Sequence, residues 1–229
     1  MPRKQYRHVA DTDVIRVSFS ALLRIRDDHC YLLFHSSARP GSFGPPGGAF
    51  KYFEPATPIL DRLHFRAERV GSREEIMRGD VRGFLPARKL AGFSRWFDSG
   101  AYREDGEECL RRELIEELGE VGLPHSASAV GGMRFSLVRE VREGPRPVPG
   151  KPYRQVRRFN VYDLVSASES TVRLREDLVD AGRDPEVDTV LWATVEEIVH
   201  GRCGNALIAP QSAFLVDGVR IHPDLPALL

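Results

Sequence analysis

The sequence has little of several things. Its 33 basic residues are balanced by 33 acidic ones, giving a formal net charge of zero, so no global field draws it to a nucleic-acid polymer or an anionic membrane. No apolar run approaches the roughly 18 residues needed to span a bilayer. Three cysteines, Cys30, Cys109 and Cys203, lie far apart and form no CxxC pair. Their odd number argues against a disulfide framework and for a reducing compartment. The histidines show neither HxxxH spacing nor a cluster with cysteine, which excludes the usual zinc patterns. The opening "MPRKQYRH" is basic, but no apolar stretch follows as a signal peptide requires, so it reads as a frayed terminus. A cytoplasmic protein is expected. Internal repeats and low-complexity tracts are also lacking.

What is present is an ordinary globular composition, 41% hydrophobic and 29% charged over 229 residues, enough for one large domain or one domain with an elaborate insertion. From Val14 to Arg26 the chain alternates. Val17, Phe19, Ala21, Leu23 and Ile25 share one face against Arg16, Ser18, Ser20 and Arg24, which predicts a half-buried strand. "CYLLFH" reads as its hairpin partner. "GSFGPPGGAFKYF" is dense in glycine and proline, a turn or close backbone approach before a short strand. From about Phe53 to Asp98 the pattern is mixed. "PILDRLHFRAERV" has helical character, and the aromatics around Trp96 and Phe97 predict packing against a core. Further on, "MRFSLVREV" and "VRRFNVYDLV" predict strands joined by a Pro-rich turn, and "VDTVLW" another. "TVEEIVHG" predicts a helix with a Thr194–Glu197 capping box and Gly201 at its end, with a last short helix after Pro210. The order of strands, helix, strands, helix predicts a mixed α/β domain with helices covering a sheet.

The chemistry concentrates in "CLRRELIEELGE", Cys109 to Glu120. Leu110, Leu114 and Leu118 form a core stripe, with a helix stop at Gly119 or Gly122. Glu113, Glu116, Glu117 and Glu120 fall on one side at offsets of 3, 4 and 7. For a free helix this is poor electrostatics. Like charges at i,i+4 cost roughly 0.2–0.5 kcal/mol per pair, and acids near the C-terminal end oppose the macrodipole by about 0.3–1 kcal/mol each. A divalent cation reverses the sign of both effects, and Mg²⁺ takes oxygen ligands of this kind together with substrate phosphates. A solvated acidic face is the alternative, but the order R-E-U-x-E-E-x-G arises by chance in a chain of this length only about once in a thousand.

These residues resemble the Nudix box, G-x5-E-x7-R-E-U-x-E-E-x-G-U. Glu104, Arg112, Glu113, Leu114, Glu116, Glu117 and Gly119 all match, while Glu120 stands where the last aliphatic residue belongs. The opening glycine is displaced: Asp98 occupies its place, and "FGPPGGAFKY" looks like the Pro-Gly-Gly segment that leads into the box. Taking Gly48 as that glycine puts 56 positions before Glu104 instead of 6. The resemblance therefore implies a Nudix-type α/β/α sandwich with a mixed sheet, one domain over residues 1–229, and a large insertion at about 53–98 inside the box itself. Closure entropy grows slowly with loop length, so such an insertion is tolerable. "RVSFSALLRI", "FGPPGGAFKYF", "RGFLP" and "WFDSG" also look like the SMODS-associated Nudix domains.

By that resemblance the chain is a hydrolase of the diphosphate linkage in a nucleoside diphosphate derivative, with Mg²⁺ or Mn²⁺. Glu113, Glu116 and Glu117 are the implied metal ligands, Glu104 supports the metal or orients Arg112, and Arg112 braces the acids. Gly47 and Gly48 are candidate substrate contacts, and Arg24, like Arg16, is a candidate from the polar face of the first strand, with a structural role as the alternative. The narrower resemblance implies a functional link to a cyclic-oligonucleotide synthase in bacterial antiphage defence, and the family allows a homodimer. The displaced glycine and the insertion keep two other readings open, a nucleotide sensor without turnover and a scaffold whose insertion docks a partner. The basic segment from Arg142 to Arg158 suits phosphates or a solvated hairpin. Cys109 reads as a packing residue.

Overall fold

The computed structural model describes residues 13–68, 79–165 and 168–224. The chain falls into two compact units. One joins Phe19–Phe50, Glu104–Arg142 and the chain from Arg158 onward; the other joins the stretch ending at Ser18, Lys51–Arg103 and Glu143–Arg157. The strands run β1 Val14–Arg24, β2 Arg26–Asp27, β3 Cys30–His35, β4 Ser42–Gly44, β5 Arg66–Ala67, β6 Arg82–Pro86, β7 Arg134–Pro147, β8 Arg154–Val165, β9 Val190–Thr194, β10 Arg202–Cys203 and β11 Ala206–Ile208. The α-helices are α1 Thr57–Arg62, α2 Leu90–Ser99, α3 Gly106–Glu120, α4 Glu169–Arg183, α5 Val195–His200 and α6 Ala213–Val216. A mixed α/β fold results, as the order of elements predicted. One sheet has the order β5-β6-β1-β8-β7; the other has β10-β11-β4-β3-β2, with β9 also on β3.

In the first unit, β3 is central to its sheet. It pairs antiparallel with β9 from Cys30↔Thr194 to Phe34↔Val190, and with β4 at Phe34↔Gly44. "CYLLFH" is thus not the hairpin partner of the long first strand. The extended run breaks at Ile25, and only the two residues of β2 pair back on it, Arg26↔Tyr31 and Asp27↔Cys30. The expected half-buried alternation also fails beyond Phe19. Ser20 and Leu22 are buried along with Phe19, Ala21 and Leu23, because protein covers both faces there. Leu22, Leu33, Phe159, Val161, Phe214 and Leu215 belong to one hydrophobic cluster of this unit. A central strand buried on both sides carries near-continuous apolar sequence, and "FSALL" is such a run.

In the second unit, the early part of β1 pairs with β6 from Val14↔Pro86 to Ser18↔Arg82, and β6 pairs with β5. Gly83 is required here, since a Cβ would lie 2.2 Å from the Arg66 carbonyl oxygen. The aromatics form this unit's own core. Phe65 stacks on Phe93 at 5.3 Å, Phe93 meets Trp96 at 5.3 Å, and the Trp96 indole donates to the Ala101 carbonyl. Trp96 and Phe97 are both buried within this unit. The helix expected over "PILDRLHFRAERV" is shorter: α1 stops at Arg62, and His64 takes a left-handed φ of 54° before β5 begins. Residues 69 and 70 of that stretch lie outside the described residues.

Helix α3 starts at a capping box that the sequence reading missed. The Asp105 side chain accepts from the Glu108 N–H at 2.8 Å, and the Glu108 carboxylate accepts from the Asp105 N–H at 2.8 Å. The helix passes through Gly119 and ends at Glu120 with Val121 as its cap, and Gly122 just beyond has φ +85°, the left-handed conformation glycine allows. Helix α4 was missed entirely. Ser168 caps it, and Thr171, Leu174, Leu178 and Ala181 are its buried stripe. The cap and the 3-, 4- and 7-residue spacing of that stripe were legible signals. Helix α5 and its Thr194–Glu197 box match expectation.

Candidate functional site

The site is assembled on α3 by the segment Pro46–Phe50. That segment runs beside β1, with the Leu23 N–H donating to Pro46 O at 2.8 Å and the Ala21 N–H to Gly48 O at 2.9 Å. Its two glycines are demanded by geometry. Gly47 has φ +119°, and a Cβ there would stand 2.3 Å from the Ala21 carbonyl oxygen. A Cβ on Gly48 would stand 2.3 Å from the Glu113 carboxylate. The Gly47 N–H donates to Glu117 Oε2 at 2.9 Å. Gly48 thus lies against the helix that carries the acids, 56 positions before Glu104 in the chain.

Arg112 organises the acids. Its Nε and a terminal nitrogen grip both oxygens of Glu104 at 2.7 and 2.9 Å. Its other terminal nitrogen donates to Glu113 at 2.7 Å and lies 3.7 Å from Glu116. It also donates to the Ala49 carbonyl at 2.9 Å. Burial alone would lower the Arg112 pKa, but the ion pairs with Glu104 and Glu113 outweigh it and raise the value. Arg112 is therefore a permanent cation that braces two acids and the glycine segment at once. Glu104 is buried, with 6% of its surface exposed; it is a support under the helix, not a group open to solvent.

Glu117 is the electrostatically unsettled member. Burial pushes its carboxyl well above the ordinary range, and Glu113, Glu120 and Glu116 add to the rise. The Gly47 N–H opposes that shift without cancelling it. Cys109 packs beneath this group, its Sγ 3.7 Å from Gly48 O, and burial followed by Glu104 and Glu113 raises its pKa. Such a thiol stays protonated, which agrees with a packing role.

Among the described residues, no three His, Cys, Asp or Glu side chains are gathered in ligand geometry as they stand. Arg112 holds Glu113, and the Glu116 side chain is 49% exposed. The donor set nevertheless suits a hard cation: carboxylate oxygens along one helix side, one of them raised by burial and by its acidic neighbours.

The structure brings together Glu104, Arg112, Glu113, Glu117, Gly47 and Gly48. Glu116 is on the same side but points outward, and Glu120 is exposed. Arg24 is engaged elsewhere. Its guanidinium makes a two-pronged pair with Asp163 at 2.6 and 2.7 Å and reaches the Leu215 carbonyl. With Asp163, Arg26, Asp28 and Arg175 it lines a pocket of about 330 Å³. Arg16 is held by Glu68 and Gln155. The Arg142–Arg158 hairpin is partly neutralised, since Arg158 and Arg142 both pair with Glu140, and Arg157 approaches Glu143.

An arginine-braced row of acids on a helix, closed by a Pro-Gly-Gly segment on an α/β fold, defines a Nudix-type domain. The family model of the SMODS-associated NUDIX domain matches residues 14–216, and the chain belongs to that family. No curated protein matches the chain. Among solved structures it is similar to the solution structure of the E. coli ORF135 protein, with a TM-score of 0.34 and 14% identity, over 89% of this chain and 87% of that one. Among the described residues no helix is long and apolar enough to cross a membrane.

Proposed function

We propose that this protein is a metal-dependent hydrolase that cleaves the diphosphate linkage of a nucleoside diphosphate derivative. The observation that carries the reading is the row Glu113, Glu116, Glu117 and Glu120 on one side of α3, with Arg112 bonded to Glu104 and Glu113 and the Gly47 N–H donating to Glu117. A divalent cation relieves the repulsion along that row. Glu113, Glu116 and Glu117 would hold Mg²⁺ or Mn²⁺, which supplies charge neutralisation of phosphate oxygens and a lowered pKa for bound water. Arg112 and Glu104 keep the helix side in register, and Gly47 and Gly48 let the backbone approach the acids without a side chain between.

A second reading, a nucleotide-binding module without turnover, draws on the Arg112–Glu113 pair, which occupies one of the three carboxylates. Association with a cyclic-oligonucleotide synthase in antiphage defence fits either reading through the family. The deciding experiment is product analysis on a panel of nucleoside diphosphate derivatives with Mg²⁺ or Mn²⁺, comparing wild type with Glu116→Gln and Glu117→Gln. Turnover abolished by both substitutions supports the hydrolase. Tight ligand binding with no turnover on any compound, unchanged by the substitutions, supports the sensor and overturns the hydrolase.

A further inference from the structure

The inference concerns β7, the last strand in the order β5-β6-β1-β8-β7. Among the described residues no strand lies beyond it. It runs from Arg134 to Pro147, and its residues are exposed or half-buried except Phe135 and Val141. Every second residue of such an edge turns its N–H and C=O away from the sheet, which templates another strand. Leu137, 56% exposed, adds an apolar side chain to this edge.

What can pair there is constrained by sequence. Two copies of one strand pair antiparallel about a two-fold axis perpendicular to the sheet. Residues directly opposite share a face, so the axis must pass through a residue position. With Val141 at the axis, Arg139 faces Glu143 and Glu140 faces Arg142, each twice by symmetry. Centring on Arg139, Glu140 or Arg142 instead puts no opposite charges across from one another. Centring on Leu137 or Glu143 matches opposite charges on one face only, Arg134 with Glu140 or Glu140 with Arg146, so Val141 is the centre that matches them on both faces. Gly144, with φ +90°, and Pro145 end the regular stretch on one side.

We infer that β7 is a self-association edge: two copies of this chain join their five-stranded sheets through antiparallel β7–β7 pairing centred on Val141. The charges that guard the edge against other strands match a second copy. Within one copy Arg142 and Arg158 both meet Glu140, and Arg157 approaches Glu143; in the pair, Glu140 takes a third arginine and Glu143 a second from the other copy. The interface is independent of the acids on α3, so the inference stands or falls apart from the hydrolase reading.

The test is sedimentation velocity on the full chain across a concentration series, with circular dichroism to confirm the fold. Wild type is expected to show a monomer–dimer equilibrium. Arg142→Glu sets Glu140 against a like charge in both symmetric pairs and is expected to weaken the dimer by roughly tenfold or more. The exchange Glu140→Arg with Arg142→Glu restores opposite charges and is expected to restore the dimer. Arg139→Glu, alone and with Glu143→Arg, repeats the logic on the other face. A wild type that stays monomeric to about 100 µM leaves the edge to some other chain and overturns the inference. A dimer indifferent to every reversal, or lost on reversal and not recovered by the exchanges, overturns it equally.

Discussion

Arg112 and Glu104 meet through two parallel hydrogen bonds, 2.7 and 2.9 Å, while the same guanidinium reaches Glu113 at 2.7 Å. Removing one partner of a buried pair leaves the other charge uncompensated. Glu104→Gln is therefore expected to cost about 2–3 kcal/mol, at the lower end of the range for buried pairs because Glu113 remains and Arg112 is partly solvated. Arg112→Lys cannot reproduce the fork and should cost a similar amount. Urea unfolding at constant slope checks both.

The two glycines should separate by substitution. In Gly47→Ala the new Cβ meets backbone, the Ala21 carbonyl at 2.3 Å, and φ is +119°. The backbone conformation alone is expected to cost about 1–3 kcal/mol. In Gly48→Ala the Cβ meets the Glu113 carboxylate, the far end of a flexible side chain. That variant should lose little stability but displace a ligand, weakening Mn²⁺ binding by about tenfold or more. Calorimetric titration with Mn²⁺ alongside thermal melts distinguishes the two outcomes.

Glu117 makes a prediction about pH. Its carboxyl is raised by burial and by Glu113, Glu120 and Glu116, so the folded state holds a proton that the unfolded state has released. Between the ordinary carboxylate pKa, about 4.3, and the raised folded value, stability falls as pH rises. Without metal, Glu117→Gln should therefore melt higher than wild type at neutral pH and flatten this decline. A melt no higher than wild type would count against the buried-acid account.

Metal should act through the same group. Mg²⁺ or Mn²⁺ at about a hundred times its dissociation constant should stabilise wild type by about 2.7 kcal/mol. The effect should be lost in Glu117→Gln and reduced in Glu113→Gln and Glu116→Gln. Melts with and without chelator read this out, without any assay of turnover.

The α3 cap offers a control away from the acids. Asp105→Ala removes the acceptor for the Glu108 N–H and should cost about 1 kcal/mol. Metal affinity should be unchanged, since the proposed ligands sit two to three turns further along.

Local features were readable because their physics is local. The spacing of Leu110, Leu114 and Leu118 and the row of glutamates above them fix helix and acidic side within one stretch. The Thr194 cap and the Gly201 stop do the same for α5. Helix α4 had equally local signals and could have been read. "CYLLFH" could not, because an apolar strand carries no mark of which neighbour it takes. β9, more than 150 positions away, pairs with it along its length.

The sequence by itself determined that one helix would carry Arg112 and its acids, since helical periodicity turns spacing directly into position. Only the tertiary structure decided what those acids face. Gly48 is pressed against Glu113, and Gly47 donates to Glu117 across 70 residues of chain. Arg24 is a weaker candidate for substrate on the polar face of its strand, and Asp163, 139 residues away, takes both prongs of its guanidinium. Charge partners of that kind are chosen by strand order in the sheet, and strand order depends on contacts that no local spacing encodes.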